Sequence, residues 1–287
     1  MSTHIPETSN LNFEVLVKKR PSLTRDLPYG PEDLQWVTNT ATLIYGEQDA
    51  ILIDTFTTTT QNAELVDWVA SFDRNLTHIY STHGHGDHFF GIGQLLERFD
   101  GASAIATAGS VAQAARHAAP ELLDGFWERL FPGDIPRPPQ LPTVYDGETL
   151  TLEGHELQII PTGFTDTTDT TTVWVPSLRL LVGGDVVYNH VHPYLAETTP
   201  ETRENWRSAL EKLGQLDAAV AVAGHKHLDY PDAPSDLAET ITYLEDYETL
   251  RVTTTSAEEL YAALLEKHPN RANPGSAWGA SKAAHSA

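Results

Sequence analysis

A short glycine-containing segment, STHGHGDHFFG, concentrates side chains that can bind a metal ion. Imidazole nitrogens and carboxylate oxygens are suitable ligands for zinc, iron, manganese or cobalt. The candidate ligands in this segment are His83, His85, Asp87 and His88. Gly84 and Gly86 lie between them and allow the loop to coil so that the ligands converge. The pattern therefore predicts a metal site in preference to a polar turn with unrelated histidines.

Composition narrows the chemistry further. The chain has 287 residues, a formal charge of −22 and no cysteine. Without cysteine there is neither a disulfide nor a thiolate ligand, so any metal must be held by His, Asp or Glu. The acidic balance argues against nucleic acid and anionic membranes as partners and favours simple solubility. The sequence shows neither a signal peptide nor an apolar run near the about 20 residues of a membrane span, which predicts a cytoplasmic location.

Strands and helices must bring these ligands together. ATLIYGEQDAILIDT is typical of a β-hairpin that ends at Asp54, and THIYSTH is a short strand that runs into the metal motif. Helices are predicted in segments 61–71, 91–99 and 110–119, the first of them because its apolar residues recur at helical spacing. Strands are then predicted around 149–152, 157–160, 171–175, 180–182 and 218–223, and helices around 202–213, 235–247 and 256–266. This order predicts an α/β fold in which two packed sheets are flanked by helices.

The chain divides into a main domain and two flanking segments. Residues 1–35 are predicted to pack on a single domain that spans residues 36–268, with one short strand at 13–17. Within that domain, residues 120–142 form an aromatic and proline-rich insert, ELLDGFWERLFPGDIPRPPQLP, which is interpreted as core or a dimer contact in preference to a lid. Residues 269–287 are predicted to be disordered.

The motif and the segments after it resemble the metallo-β-lactamase superfamily, whose signature is His-x-His-x-Asp-His on a loop after a strand. The resemblance covers about residues 40–230 and implies a four-layer αββα sandwich. LLVGGDVVYN is similar to the segment whose Asp bridges two metals, which assigns that role to Asp185. VAVAGHKH places His225 on the second metal, and AILIDT makes Asp54 a partner that holds a ligand histidine.

One family ligand is absent from the predicted alignment. The family completes its first metal site with the His of a Gly-His-Thr or Gly-His-Ser turn, and the aligned residues are Gly163–Phe164–Thr165. Because Phe164 has no lone pair to bind a metal, we expect an impaired first site. The alternatives are a single firm second site, a misaligned loop, a slow or inactive protein, or a substitute ligand. The candidate substitutes are Asp166, Asp169, His190 and His192.

The resemblance implies hydrolysis by a hydroxide shared between divalent metals, of which zinc is expected, in one or two copies. Asp87 is predicted to orient the metals. Tyr188 is similar to the tyrosine beside the metals in members that open acyl-homoserine lactones, which favours a lactone, ester or related acyl substrate. The residues predicted to contact the substrate are Phe164, Tyr188, His190 and Tyr194.

Other functions stay open within the same fold. β-Lactam, thioester and phosphodiester hydrolysis are alternatives, as is a non-catalytic member that binds a metal or a ligand. The predicted partner is a small-molecule substrate, with neither nucleic acid nor membrane, and a homodimer is a further candidate assembly. His190 and His192 fit surface loop histidines better than metal ligands, and the sequence assigns no role to His117.

Overall fold

The first β-sheet carries the metal motif at the end of one of its strands. A computed structural model describes residues 10–21 and 26–285. The sheet has the order β1-β2-β3-β4-β5-β6. Its strands are β1 (Asn12–Pro21), β2 (Trp36–Tyr45), β3 (Asp49–Ile53), β4 (Asn75–Tyr80), β5 (Ser103–Ala106) and β6 (Thr143–Val144). Pairing is antiparallel from β1 to β3 and parallel from β3 to β6.

The second sheet has the order β11-β10-β9-β8-β7. Its strands are β7 (Thr149–Leu152), β8 (His155–Gly163), β9 (Thr170–Val175), β10 (Leu180–Asn189) and β11 (Val220–Lys226). Neighbours from β7 to β10 are antiparallel, whereas β10 and β11 are parallel. The parallel pairing of β10 and β11 brings Asp185, in the middle of β10, close to His225 near the end of β11.

Helices cover the outer faces of both sheets. In the first half of the chain these are α1 (Thr59–Ala70), α2 (Gly86–Phe89), α3 (Ile92–Arg98), α4 (Ala108–His117), α5 (Pro120–Leu122) and α6 (Glu128–Leu130). A π-helical segment, Leu123–Trp127, joins α5 to α6, and short 3-10 turns occur at Glu32–Leu34 and Pro176–Leu178. In the second half they are α7 (Pro200–Leu213), α8 (Ser235–Thr253), α9 (Ala257–Lys267) and α10 (Pro274–His285).

The apolar core has one cluster between the sheets and one on the outer face of each. Alternate residues of a strand point to opposite faces, so Ile51 and Ile53 enter the central cluster while Leu52 packs under the helices. Leu180 and Val182 enter the central cluster in the same way, whereas Leu181 faces the second helical layer. The predicted α/β fold, with two packed sheets flanked by helices, is therefore confirmed.

Several predicted elements agree with the structure. β2 and β3 pair as the predicted hairpin, with Tyr45 opposite Ala50. The predicted strand 13–17 is part of the longer β1. Residues 1–9 and 22–25 of the predicted N-terminal segment lie outside the described residues. Among the described helices, none is long and apolar enough to cross a membrane.

The prediction of a disordered tail is wrong for residues 274–285, which form α10. The composition of this segment, rich in Ala, Gly and Ser, resembles that of a linker, but its small residues allow close packing against α9. Ala277 is fully buried and Trp278 is 8% exposed, and the Trp278 ring lies 5.4 Å from that of Tyr261. Residues 286 and 287 lie outside the described part of the chain.

Candidate metal centre

The metal motif runs from the loop after β4 into α2, and every residue from 81 to 90 is buried. Gly84 is required by close packing, because a Cβ there would lie 2.5 Å from the backbone nitrogen of Ala114 in α4. At Gly86 a Cβ would lie 2.4 Å from the ring of Phe90. The two glycines therefore let the loop approach its neighbours closely enough to direct its ligands toward one point.

Two groups of candidate ligands meet beside this loop. The first group consists of His83, His85, Asp166 and Asp185, and the second of Asp87, His88 and His225. Within each group the potential ligand atoms lie within 4.8 Å of one another. Asp185 joins the groups, since it belongs to the first and also contacts the second: its Oδ1 lies 3.2 Å from His88 Nε2 and its Oδ2 lies 3.0 Å from His225 Nε2. The six metal ligands predicted from sequence are thus brought together.

The residues present fit a pair of divalent cations. In the described structure, four buried atoms of the two groups have no hydrogen-bond partner: His83 Nε2, His88 Nε2, Asp166 Oδ2 and Asp185 Oδ1. A buried polar atom left without a partner costs about 1–3 kcal/mol. A cation would remove that cost, because all four atoms offer a lone pair. The first group would hold one metal and the second group the other, with Asp185 between them.

Asp166, and not Phe164, occupies the fourth position of the first group. Asp166 Oδ2 lies 3.1 Å from His85 Nδ1 and 3.7 Å from His83 Nε2. This arrangement agrees with the alternative in which a nearby carboxylate, Asp166, supplies the ligand that Phe164 cannot. Phe164 is half-buried and its carbonyl accepts a hydrogen bond of 2.6 Å from Asn205 Nδ2, while its substrate contact stays a prediction from the sequence.

Asp54 fixes the ring proton of one histidine in each group, directly for His88 and through Thr82 for His83. The other ring nitrogen of each histidine is then available to a metal. His88 Nδ1 donates to Asp54 Oδ2 at 3.0 Å, which leaves His88 Nε2 free to face the second group. Thr82 Oγ1 also donates to Asp54 Oδ2, at 2.8 Å, so the same hydroxyl accepts from His83 Nδ1 at 3.1 Å. His83 Nε2 is then free for the first group. The position predicted for Asp54, behind a ligand histidine, agrees with this contact.

The other two ligand histidines are oriented from different elements. His85 Nε2 donates to Glu197 Oε1 at 3.2 Å, which turns the lone pair of Nδ1 toward Asp166. Thr167 Oγ1 donates to the other oxygen of Glu197 at 2.7 Å and fixes that carboxylate. His225 Nδ1 donates to the Thr38 carbonyl of β2, which leaves Nε2 for the second group. Each ligand nitrogen therefore has its lone pair directed at a metal position.

The pKa values of His85 and Glu197 reflect the carboxylates that surround His85. Burial opposes the charge of His85, but Asp166 and Glu197 outweigh it and raise the pKa of His85 to about 10. Burial also opposes the charge of Glu197, but hydrogen bonds from His85 and Thr167 lower its pKa to about 2. The charges of Asp166 and Glu197 thus favour the protonated form of His85, which offsets part of their negative charge. A bound metal would take over that role.

The predicted catalytic residues lie directly beside the ligand groups. Tyr188 Oη donates to Asp185 Oδ2 at 2.9 Å, and its ring stacks on His225 with 5.6 Å between centroids. Burial and the charge of Asp185 hold the pKa of Tyr188 well above its usual value, so its phenol keeps its proton. Asp87 Oδ2 accepts a hydrogen bond of 2.9 Å from Asn39 Nδ2, which orients Asp87 toward the second group.

A cavity of about 410 Å³ opens over the ligands. His85, Asp87, Asp185 and His225 form part of its lining, together with Tyr188 and Tyr194. One wall comes from the aromatic insert, through Leu122, Phe126, Trp127, Leu130 and Phe131. The insert is also core, as predicted, since Trp127 and Phe131 belong to the cluster under the first sheet. The insert therefore packs as core and shapes the site at once.

The opposite wall comes from the C-terminal segment that was predicted to be disordered. Asn273, Ser276, Trp278 and Lys282 line the cavity there. Nothing in the local sequence of this segment indicates a role in the site, because the role depends on the packing of α10 against the rest of the domain.

Two histidines considered as substitute ligands or rim residues lie elsewhere. His190 stacks on Tyr230 with centroids 3.6 Å apart and is absent from the described cavity lining, so its substrate contact stays a prediction from the sequence. His192 is fully buried and its Nδ1 shares a hydrogen bond of 2.8 Å with Tyr243 Oη. The expectation of a surface histidine is therefore wrong for His192, which packs in the second helical layer. Asp169 is exposed and lies outside both ligand groups.

Sequence reasoning missed two residues that line the site. Glu197 orients His85 as described, and no motif around it indicates this contact. His117 lines the cavity with its ring 4.8 Å from that of His85. Because the Trp127 indole is only a donor, its hydrogen bond of 3.1 Å to His117 Nδ1 places the histidine proton on Nε2. The only sequence signal for His117 is its place at the end of a helix next to the insert.

Removing the charge of Glu197 tests its role in orienting His85. We expect Glu197→Gln to weaken metal binding at the first group by about tenfold, the usual size of such an effect for a group that orients a ligand. Calorimetric titration of the metal-free protein with zinc measures this. Glu201→Gln, an exposed change in the first turn of α7, is the matched control. Equal affinities for Glu197→Gln and the unaltered protein would contradict the assignment.

The sequence of this chain is similar to that of a known family and of a characterised protein. The family model described as "Metallo-beta-lactamase superfamily" matches residues 34–225, a span that includes the metal motif, Asp185 and His225. The metallo-beta-lactamase type 2 of Bacteroides fragilis is 24% identical over 192 residues, which cover 66% of this chain and 69% of that protein.

Solved structures share the fold at low identity. A metallo-beta-lactamase family protein from Thermus thermophilus superposes with a TM-score of 0.62 and 21% identity, over 94% of this chain and 91% of that one. The metallo-beta-lactamase from Pontibacter korlensis gives a TM-score of 0.58 and 20% identity, over 82% of this chain and 100% of that one. At these identities the similarity indicates the architecture alone.

Proposed function

Because the chain belongs to the metallo-β-lactamase superfamily, we propose that it is a metal-dependent hydrolase of a lactone, an ester or a related acyl compound. The observation that carries the choice of substrate is Tyr188, whose protonated phenol lies at the ligand groups and lines the cavity. A phenol at this position suits a substrate carbonyl, which accepts a hydrogen bond more strongly as negative charge develops on its oxygen.

Each residue of the site would have a separate role in the hydrolysis. Divalent metals held by the two ligand groups would polarise the substrate and lower the pKa of water. Tyr188, whose hydroxyl donates to Asp185 Oδ2 in this structure, would transfer that hydrogen bond to the carbonyl oxygen of a bound substrate. Asp87, fixed by Asn39, would hold the second metal, and Glu197 keeps His85 oriented. Tyr194, which lines the cavity beside His85, would contact the bound substrate.

The cavity walls favour an acyl compound with an apolar part. Phe126, Trp127, Phe131 and Trp278 supply aromatic surface above the ligand groups. Such surface binds apolar groups and excludes water from the reacting carbonyl, while the few polar groups fix orientation. The volume of about 410 Å³ suits a small molecule. A cytoplasmic location and a homodimer stay predictions from the sequence.

β-Lactam hydrolysis is the second candidate, because the Bacteroides fragilis relative is a metallo-β-lactamase. A panel of chromogenic esters, lactones, β-lactams and phosphodiesters separates the candidates. We expect ester or lactone turnover that disappears after chelation and returns on adding metal. If only β-lactams are hydrolysed, the protein is a β-lactamase. If the metal-loaded protein hydrolyses none of these substrates, a binding role is favoured.

The phenol of Tyr188 can be tested directly. We expect Tyr188→Phe to lower kcat for the preferred ester or lactone by about 100-fold, the usual effect of removing one such hydrogen-bond donor. Its metal content should not change, because Tyr188 offers no ligand to either group. Tyr230→Phe, which alters a stacked tyrosine away from the cavity, is the matched control. An unchanged kcat for Tyr188→Phe would remove the main support for a role at the carbonyl.

A further inference from the structure

We propose that Asp166 shifts the metal preference of the first site, composed of His83, His85, Asp166 and Asp185, away from zinc and toward manganese(II) or iron(II). The inference concerns which metal is bound and does not depend on the substrate. It rests on the orientation of Asp166, the charge of the site and the chemistry of its donors.

Asp166 is oriented as a ligand and is not merely close to the other three residues. Its side chain is fully buried, and Thr165 Oγ1 donates a hydrogen bond of 2.9 Å to its Oδ1. The other oxygen, Oδ2, has no hydrogen-bond partner in the described structure and points at His85 Nδ1 and His83 Nε2. One oxygen is therefore held by the protein, and the other is available to a cation.

The site accumulates negative charge that no lysine or arginine neutralises. Asp87, Asp166 and Asp185 are all buried, and their ion pairs among the described residues are with histidines only. When the histidines bind metals they must lose their extra protons. Three carboxylates then face two divalent cations, which leaves a small net positive charge. Divalent cations are therefore the natural counterions of this cluster.

The donor atoms decide which cations are favoured. In the family pattern a third histidine completes the first site, whereas here a carboxylate stands in that place. Imidazole is a good ligand for zinc, but carboxylate oxygens are preferred by harder cations such as manganese. Two histidines with carboxylates also form a common ligand set for iron(II). Replacing a nitrogen ligand with an oxygen ligand therefore reduces the difference in affinity between zinc and manganese at this site.

Competition between metals tests the proposal. Metal-free protein is equilibrated with buffered zinc and manganese(II), and the bound metals per chain are measured by elemental analysis and manganese EPR. We expect Asp166→His to raise the zinc-to-manganese ratio by on the order of tenfold at one of two sites. Asp169→His makes the same exchange three positions away, at an exposed side chain outside both ligand groups, and should behave like the unaltered protein.

The result that would overturn the proposal is an unchanged zinc-to-manganese ratio in Asp166→His. Asp166→Asn provides a second test, since it keeps the shape of the side chain and removes its charge. If Asp166→Asn binds as many metals as the unaltered protein, with the same preference, Asp166 is not a ligand. Circular dichroism confirms that each variant is folded. Because the readout is bound metal, failure here is distinguishable from an error in the proposed substrate.

Discussion

Replacing Asp185 with alanine should abolish binding at both metal sites and reduce hydrolysis by about three orders of magnitude. Asp185 belongs to the first ligand group and also contacts two histidines of the second, with Oδ1 near His88 and Oδ2 near His225. Its loss removes one oxygen ligand and one negative charge from each site. Metals in such sites contribute several kcal/mol to stabilising the transition state, and about 1.4 kcal/mol corresponds to a tenfold change in rate.

The stability of the variant provides a second readout. A metal that binds the folded state alone raises the temperature of unfolding, so the unaltered protein should be stabilised by added zinc or manganese. Asp185→Ala should lose this response, and its metal-free form should be no more stable than that of the unaltered protein, because the change removes the ion pairs of Asp185 with His88 and His225. Elemental analysis and thermal unfolding with and without metal measure both effects. Asp229→Ala, at a side chain that is 84% exposed, is the control. Two metals per chain in Asp185→Ala would refute the bridging role.

The site residues that the sequence predicts lie within strands or shortly after a strand ends. His83 to His88 come directly after β4, Asp185 lies in β10 and His225 in β11. Their relative positions are fixed by strand pairing and by sheet packing, which alternating apolar residues reveal. For the same reason Asp54, at the end of β3, could be placed behind His88. Local pattern and strand order are sufficient for these residues.

The candidate ligand that sequence left undecided, Asp166, lies in a loop with an irregular backbone. β8 ends at Gly163, whose φ is +75°, and the Thr165 N–H then bonds the Thr167 carbonyl in a tight turn. Asp169 also has a positive φ, of 55°. The turn after Gly163 is followed by Asp166, which is directed inward, with its Oδ2 3.1 Å from His85 Nδ1. Residue spacing could name Asp166 as a candidate but could not decide between it and its neighbours.

Contacts between distant parts of the chain account for the remaining misses. Glu197 meets His85 across 112 positions of sequence, and His117 meets it through the packing of the insert. The wall formed by α10 depends on α9 and on Tyr261. None of these contacts leaves a periodic pattern, because a single glutamate or an alanine-rich segment has the same local appearance in many settings. Tertiary packing alone gives these residues their roles.

Replacing Trp278 with alanine should destabilise the domain and open one wall of the cavity. Trp278 is 8% exposed and packs against Tyr261 on one side, while Lys282 lies over its ring, 5.4 Å from the centroid. Large aromatic residues replaced by alanine in a core cost about 3–5 kcal/mol. We expect the lower end of that range for the free energy of unfolding, because part of the Trp278 ring faces the cavity.

The same variant should weaken substrate binding more than it slows the chemical step, since Trp278 belongs to neither ligand group. Urea unfolding of the metal-loaded protein measures the stability, and steady-state kinetics should show a larger rise in KM than fall in kcat. Trp278→Phe is the matched control: it keeps an aromatic ring in the wall and removes an indole N–H that has no partner in the described structure. Its stability should stay close to that of the unaltered protein. If Trp278→Ala unfolds at the same urea concentration as Trp278→Phe, then α10 contributes little to the core, and its place in the cavity wall would have to be reconsidered with it.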